Sequence, residues 1–199
     1  MPFFKFLPEQ DAAVRNVFMH TWDRFSHMTL FLEHVLRGPS EISERDRELI
    51  ATYVSGLNDC SFCYNAHAQT AEHYGVDTDM FEKLMADVDT APVDDRLKPI
   101  LKFVQKLTKT PAQMVQGDAD AVFAAGWSED ALHDAISVCC AFNFMNRLMD
   151  GHGVPRLSDE QLEATGGRLH QFGYNPYNQA PKEQVDAMAS YRVPPKDES

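Results

Sequence analysis

Two cysteines and a histidine stand close together in this sequence, at a spacing that could support redox or metal chemistry. They are Cys60, Cys63 and His67, within the segment CSFCYNAH that begins at residue 60. On an α-helix, positions i, i+3 and i+7 fall on one face, so both sulfurs and the imidazole would share a stripe. The pattern indicates a redox dithiol with a base beside it, or two or three ligands of a metal site.

The start of a helix would favour the thiolate form of these cysteines. Asp59 is the predicted N-cap, which places Cys60 and Cys63 in the first turn, where unpaired N–H groups and the positive end of the helix dipole stabilise negative charge. Helical side chains lean towards the N-terminus, so His67 should reach Cys63, whereas Cys60 lies two turns, about 10 Å, away. We therefore expect Cys63 to be the base-activated thiol and Cys60 the resolving thiol.

A carboxylate is expected beside His67 from the preceding helix. Residues 43–57 have helical apolar spacing, and a turn at 56–59 would return the chain as an antiparallel helix. In that register Glu48 lies level with His67, where it could orient the imidazole as in nucleophilic catalysis. The alternative is that Glu48 is one solvated charge in the run of charged residues at 41–47.

The sequence around the cysteine pair argues against a zinc site, a haem attachment site and a thioredoxin motif. A closed zinc site needs four ligands, and the sequence has neither a second CxxC nor an HxxxH. A haem attachment motif would need His where Tyr64 stands, and a thioredoxin motif would sit in a βαβ pattern, which is absent here. Two core cysteines brought together by chance remain the alternative to a redox dithiol.

Composition limits the classes of function. The chain has 199 residues and a net charge of -12, which argues against binding nucleic acid or anionic membrane by bulk electrostatics. No apolar run is long enough to span a bilayer, and the start is too short and too proline-broken for a signal peptide. We therefore expect a cytoplasmic protein, in which reduced thiols are more often catalytic or metal-binding than structural.

Strand signals are weak, and helical spacing recurs along the chain, so the sequence predicts an all-α fold. A helical domain is expected over residues 1–165, with an N-terminal arm at 1–8. Residues 166–199 are predicted to form an extended arm that contacts a neighbouring subunit, because they are rich in proline and turn residues. The predicted helices cover about residues 9–25, 29–36, 43–57, 60–74, 79–86, 95–108, 119–125 and 128–149.

The spacing of Glu48, Cys60, Cys63 and His67 resembles the active-site motif of the alkyl hydroperoxidase D (AhpD)-like proteins, which belong to the carboxymuconolactone decarboxylase superfamily. The flanking RELI at 47–50 and SGLN at 55–58 are similar to its peroxidase-related branch, as is the later FNFMNRLMD at 142–150. The resemblance covers most of residues 1–170. It implies an AhpD-like helical bundle with the CxxC at the N-terminus of a central helix, and a homo-oligomer (dimer, trimer or hexamer).

The resemblance further implies an alkyl hydroperoxide reductase-like peroxidase. Cys60 and Cys63 would cycle between dithiol and disulfide on a hydroperoxide substrate, assisted by His67 and Glu48, without a metal or cofactor. A dithiol reductant protein or a lipoyl-type donor would regenerate the dithiol. The alternatives are a dithiol adaptor that passes electrons to a separate peroxidase, a carboxymuconolactone decarboxylase-like protein, and a non-redox helical protein.

A polar stripe near the end of the longest predicted helix is a further candidate. Its members are Asn143, Asn146, Arg147 and Asp150, at spacing i, i+3, i+4 and i+7. The stripe could line the dithiol pocket or an interface, with Arg147 paired to Asp150, or it could be a solvated helix face.

Overall fold

The computed structural model describes residues 1–181 and 183–185, and all regular secondary structure within them is helical, as the sequence predicted. No helix of this described part is long and apolar enough to cross a membrane. The helices are α1 (Val14–His20), α2 (Trp22–Arg37), α3 (Glu44–Leu57), α4 (Ser61–His73), α5 (Thr78–Ala86), α6 (Lys98–Lys109), α7 (Gln116–Ala124), α8 (Glu129–Gly151), α9 (Asp159–Phe172) and the short α10 (Pro176–Gln179).

Helix α3 is the centre of the bundle. Its residues 47–55 are all buried, and it packs against α4, α6 and α8. The hydroxyls of Thr52 and Ser55 donate to carbonyl oxygens of their own helix, at 2.9 and 2.8 Å, which satisfies two polar groups that burial would otherwise leave unpaired. Because the residues on the Glu48 face are small, α4 can approach α3 closely.

The turn between α3 and α4 forms the predicted antiparallel hairpin, but the helix begins one residue later than expected. Asp59 adopts a left-handed backbone with φ of 57°, which asparagine and aspartate tolerate better than most residues. The N-cap is therefore Cys60, not Asp59, and α4 begins at Ser61. As a result Cys60 sits at the helix cap, and only Cys63 lies within the first turn.

The N-terminal helices are divided differently from the prediction. A single helix over residues 9–25 is wrong, because the chain breaks at Thr21 and α2 then runs unbroken to Arg37. The break folds α1 against α2, where Phe18 and Phe25 stack with ring centroids 4.9 Å apart. Apolar spacing continues on both sides of Thr21, so the sequence pattern alone does not mark the break.

The predicted extended arm is also corrected where the structure describes it. Residues 166–172 belong to α9, which packs against α4. Gly166 faces Gln69 so closely that an added Cβ would lie 3.0 Å from its carbonyl carbon, so the glycine serves helix contact rather than helix termination. Residue 182 and residues 186–199, including Pro194 and Pro195, lie outside the described residues, and the contact of the arm with a neighbouring subunit stays a prediction.

Candidate active site

A buried carboxylate orients the histidine of the CxxC helix. Glu48 of α3 is 0% exposed, and its Oε2 lies 2.7 Å from Nδ1 of His67 on α4. This contact follows from the register of the hairpin, which brings residue 48 level with residue 67. Because the carboxylate accepts the Nδ1 proton, the lone pair of a neutral His67 is on Nε2, where it can serve as a base.

Two further side chains hold the same carboxylate. Arg37, at the end of α2, places Nη2 2.6 Å from Glu48 Oε1. The hydroxyl of Tyr174, in the segment after α9, donates to Oε1 at 2.8 Å, and its oxygen lies 3.2 Å from His67 Nδ1. The Arg37 guanidinium also lies over the Tyr174 ring, 5.0 Å from its centroid. Glu48 is thus an acceptor for a cation, a phenol and an imidazole.

These contacts keep the Glu48 carboxylate charged. Burial alone would raise the pKa of Glu48, but its hydrogen bond to His67, helped by the charge of Arg37 and the bond from Tyr174, lowers that pKa below its ordinary value. Burial likewise would lower the pKa of Arg37, and Glu48 reverses the shift and raises it. Burial, followed by Glu48, raises the pKa of Tyr174 well above its ordinary value, so the phenol keeps the proton that it donates.

The two thiols form a buried pair. Cys60 and Cys63 are 0% and 3% exposed, and both are reduced. A hydrogen bond with Cys60, together with burial, raises the pKa of Cys63 well above its ordinary value, while Asn146 acts in the opposite direction. Cys63 is therefore a protonated thiol at rest, and it needs a base to become a nucleophile.

The polar stripe of α8 supports this pair. Asn146 is 0% exposed, donates to Ser55 Oγ at 2.9 Å and accepts from Asn58 Nδ2 at 2.9 Å, which ties α8 to the turn before Cys60. The solvated-face alternative is therefore wrong for Asn146. Arg147 donates to the carbonyl and side-chain oxygens of Asn143, at 2.7 and 2.9 Å, whereas the ion pairs of the described residues do not include the expected one to Asp150.

A cavity of about 470 Å³ adjoins the site. Cys63 and His67 line it, whereas Cys60 does not, so the two sulfurs differ in access. Aromatic and aliphatic side chains of α1, α2, α4, α8 and α9 make most of its wall, including Phe18, Trp22, Leu32, Phe62, Phe142 and Leu169. A cavity of this size and character is typical of small-molecule sites.

Arg37 and Tyr174 are site residues that the sequence patterns did not predict. Tyr174 lies 126 residues from Glu48 along the chain, and no local spacing links residues so far apart. Its segment falls within the predicted extended arm, because Asn175 and Pro176 are turn formers. For Arg37 a weak signal existed, because basic residues are favoured in the last turn of a helix that ends at Gly38.

The side chains of the described residues form no cluster of metal ligands. Among residues 1–181 and 183–185, no group of three or more His, Cys, Asp and Glu side chains is placed to hold a metal ion. The imidazole nitrogen that faces Glu48 is engaged by that carboxylate. The arrangement as it stands offers proton transfer and thiol chemistry.

The central part of the sequence is similar to a known protein family. Residues 18–104, which include Arg37, Glu48 and the CxxC segment, match the sequence model of the carboxymuconolactone decarboxylase family. No curated protein is similar enough in sequence to this chain to count as a match.

Two solved structures share the fold. One is an uncharacterized peroxidase-related protein from Silicibacter sp. TM1040, with a TM-score of 0.66 and 24% identity, covering 73% of this chain and 75% of that chain. The other is described as an alkylhydroperoxidase AhpD core, an uncharacterized peroxidase-related protein from Ralstonia eutropha JMP134. Its TM-score is 0.70 at 20% identity, covering 77% of this chain and 80% of that chain. At these identities the similarity establishes a common fold.

Proposed function

We propose that this chain is an AhpD-like thiol-dependent peroxidase, which is supported by the match of residues 18–104 to the carboxymuconolactone decarboxylase family and by the fold that it shares with the two solved structures. The observation that carries the proposal is the shared wall of one cavity: Cys63 and His67 both line it, and His67 is held by a charged, buried Glu48. A nucleophile, its base and the group that orients the base thus meet where a small molecule can enter.

The proposed cycle uses two thiols and one hydroperoxide. His67 Nε2 takes the proton of Cys63, and the thiolate attacks the terminal peroxide oxygen, which breaks the O–O bond. The alkoxide leaves as an alcohol with the proton from His67, and Cys63 becomes a sulfenic acid. Cys60 then attacks Cys63 sulfur, forming the disulfide and releasing water. An external dithiol reduces the disulfide by thiol exchange and is itself oxidised.

Burial of the sulfurs favours this peroxidase over the dithiol adaptor. A folded partner that exchanges thiols directly would have to reach Cys60 or Cys63, which are 0% and 3% exposed. A hydroperoxide, or a dithiol carried on a slender arm such as a lipoyl group, needs only the cavity. The same geometry supports a lipoyl-type donor more than a thiol on a protein surface.

The test combines thiol counting with peroxide consumption. We expect one equivalent of hydroperoxide to remove two free thiols per chain, to yield a Cys60–Cys63 disulfide by peptide mass spectrometry, and to be consumed catalytically when a small dithiol such as dihydrolipoamide is supplied. The Cys140→Ser variant is the matched control, because Cys140 is exposed and lies outside the cavity.

Three outcomes separate the alternatives. Unchanged thiol counts would contradict the redox function and favour the non-redox helical protein. Disulfide formation without turnover, followed by turnover when a separate peroxidase is added, would favour the adaptor. About one zinc per chain by elemental analysis, with thiols that resist peroxide, would favour a metal site.

A further inference from the structure

Among the described residues, the charged side chains on the cavity wall are all basic. They are Arg15 of α1 and Arg168 of α9, and no Asp or Glu of the described residues is on the wall. This is notable in a chain whose net charge is -12, since acidic side chains outnumber basic ones elsewhere. A positive end on an otherwise apolar cavity predicts a ligand with an anionic group.

The two arginines lie close enough for their charges to interact. Burial lowers the pKa of Arg168 from its ordinary value, and the positive charge of Arg15 acts in the same direction, against the influence of Tyr174. Arg168 also makes contacts within its own chain, and the inference requires only that its side chain lines the cavity.

The basic side chains and the thiol of the cavity lie at different depths below the surface. Arg15 is exposed, Arg168 is half-buried and Cys63 is buried, so the basic groups stand nearer to solvent than the sulfur does. The wall between them is formed by Phe18, Trp22, Leu32 and other apolar side chains. Hydrogen peroxide alone would make little use of such a wall, because apolar burial contributes in proportion to the hydrocarbon area removed from water.

We propose that the preferred substrates are organic hydroperoxides with a hydrocarbon chain and a carboxylate, bound with the carboxylate at Arg15 and Arg168 and the peroxide at Cys63. This inference rests on the proposed function and specifies its substrate class. Guanidinium groups bind carboxylates through charge-assisted hydrogen bonds, and the chain occupies the apolar wall. The reaction is the cycle given above, and its products are the hydroxy acid, water and the disulfide.

A binding experiment tests the ligand class without requiring turnover. Trp22 lines the cavity, whereas Trp127 is elsewhere, under Arg96, so tryptophan fluorescence can report a ligand at Trp22. We expect decanoate, below its micelle concentration, to bind about tenfold more tightly than decanol, since only decanoate makes charged hydrogen bonds. The Trp127→Phe variant should retain the signal. Equal binding of acid and alcohol, or no binding of either, would overturn the inference.

Substituting each arginine in turn tests where the carboxylate of the ligand binds. Arg15→Met should remove most of the preference for decanoate over decanol, and Arg168→Met should do the same provided that its circular dichroism and melting curve remain native. Arg15 is exposed, so its substitution tests the inference even if the Arg168 variant misfolds. Arg24→Met is the control, because Arg24 is exposed, close in sequence and outside the cavity wall. An equal loss in the Arg24 variant would contradict a specific site.

Kinetics connect binding to catalysis and separate the two proposals. We expect kcat/KM for linoleic acid hydroperoxide to exceed that for its methyl ester by about tenfold, and Arg15→Met to reduce this ratio towards one. Equal values for acid and ester, with rapid consumption of both, would overturn the substrate class and leave the peroxidase standing. Selective decanoate binding with no consumption of any hydroperoxide would overturn the peroxidase and leave a carboxylate-binding cavity.

Discussion

Cys63 carries a raised pKa, yet it is the sulfur that lines the cavity. In the proposed cycle this thiol must lose its proton when it reacts, and His67, on the same wall, is the proposed base. Cys60 is the buried N-cap residue of α4 and does not line the cavity, so in the proposed cycle it is the thiol that closes the disulfide. The geometry thus supports Cys63 as the attacking sulfur, which stays a prediction.

Trapping the sulfenic acid distinguishes the two sulfurs. With limiting hydroperoxide and a sulfenic-acid reagent, Cys60→Ser should accumulate the adduct on Cys63, because the resolving thiol is gone. Cys63→Ser should react much more slowly, because Cys60 does not line the cavity. Mass spectrometry of the labelled peptides gives the site. An adduct that forms rapidly on Cys60 in the Cys63 variant would reverse the assignment.

Glu48 is expected to contribute to both reactivity and stability. Glu48→Gln removes the acceptor that holds the Nδ1 proton of His67, so thiol oxidation should slow by tenfold or more, in line with the usual effect of a lost base–orienter pair. The change also removes the charge of the closer of two acidic partners of buried Arg37, since Glu44 stays at 3.7 Å, and breaking a buried ion pair typically costs about 3–5 kcal/mol of unfolding free energy. Stopped-flow peroxide oxidation and urea unfolding measure the two effects. Glu82→Gln, on the exposed face of α5, is the control.

The stability effect has a defined pH dependence. The pKa of Glu48 is lower in the folded protein than in the unfolded chain, so the unfolded chain binds more protons between the two values. The stabilisation by Glu48 is therefore fully present above about pH 4.3, the ordinary glutamate value, and is lost as the pH falls through the folded pKa. The difference in unfolding free energy between wild type and Glu48→Gln should shrink on acidification. A difference that is constant from pH 7 to pH 3 would contradict the charged, paired carboxylate.

At the scale of elements, one acidic residue of α2 fixes the segment that carries Tyr174. Glu33 accepts from the backbone N–H groups of Tyr174 and Asn175 at 2.6 and 3.0 Å. Gly173 precedes them with φ of 69° and ψ of -154°, a conformation essentially restricted to glycine, and an added Cβ would collide with the Glu33 carboxylate. Glu33 and Gly173 together direct the phenol towards Glu48.

A pair of glycine substitutions separates this role from general backbone strain. Gly173→Ala should lower the unfolding free energy by about 1–3 kcal/mol and also slow peroxide oxidation, because Tyr174 moves away from Glu48. Gly75→Ala also places a side chain at positive φ, 82°, but its added Cβ meets no atom within 4 Å. It should lower stability without slowing the reaction. If both variants slowed peroxide oxidation equally, or if neither did, the position of Tyr174 would not be what sets the rate.

The hairpin could be predicted because its determinants are local. The apolar spacing of α3 and the turn at residues 56–59 together bring Glu48 to His67 within a single helix pair. The contacts of Arg37 and Tyr174 depend on tertiary packing of α2 and of the chain after α9, which periodicity does not encode. The extended arm over residues 166–172 is wrong for a related reason: Gly is a poor helix former, but at Gly166 the close contact of α9 with Gln69 outweighs that propensity.

At the scale of the whole molecule, several large apolar side chains are on the surface of the single chain. They include Phe3, Phe31, Val115, Phe144 and Phe172, each more than 40% exposed. Exposed aromatic side chains on several helices favour association, and the resemblance to AhpD-like proteins also implies a homo-oligomer. We expect light scattering to give a multiple of the 22.5 kDa chain mass at micromolar concentration. A mass of one chain across that range would contradict the expectation.

In the nascent chain, the two helices that carry the thiols are synthesised well before Tyr174. Glu48, both thiols and His67 lie in α3 and α4, which can fold as a local pair, whereas Tyr174 follows about 100 residues later, roughly 5–20 s at usual translation rates. During that interval the sulfurs lack the α9 wall and the phenol that complete the mature pocket. A ribosome-bound chain should therefore be most open to oxidation before residue 174 emerges, and cells under peroxide stress would meet that vulnerability during translation rather than afterwards.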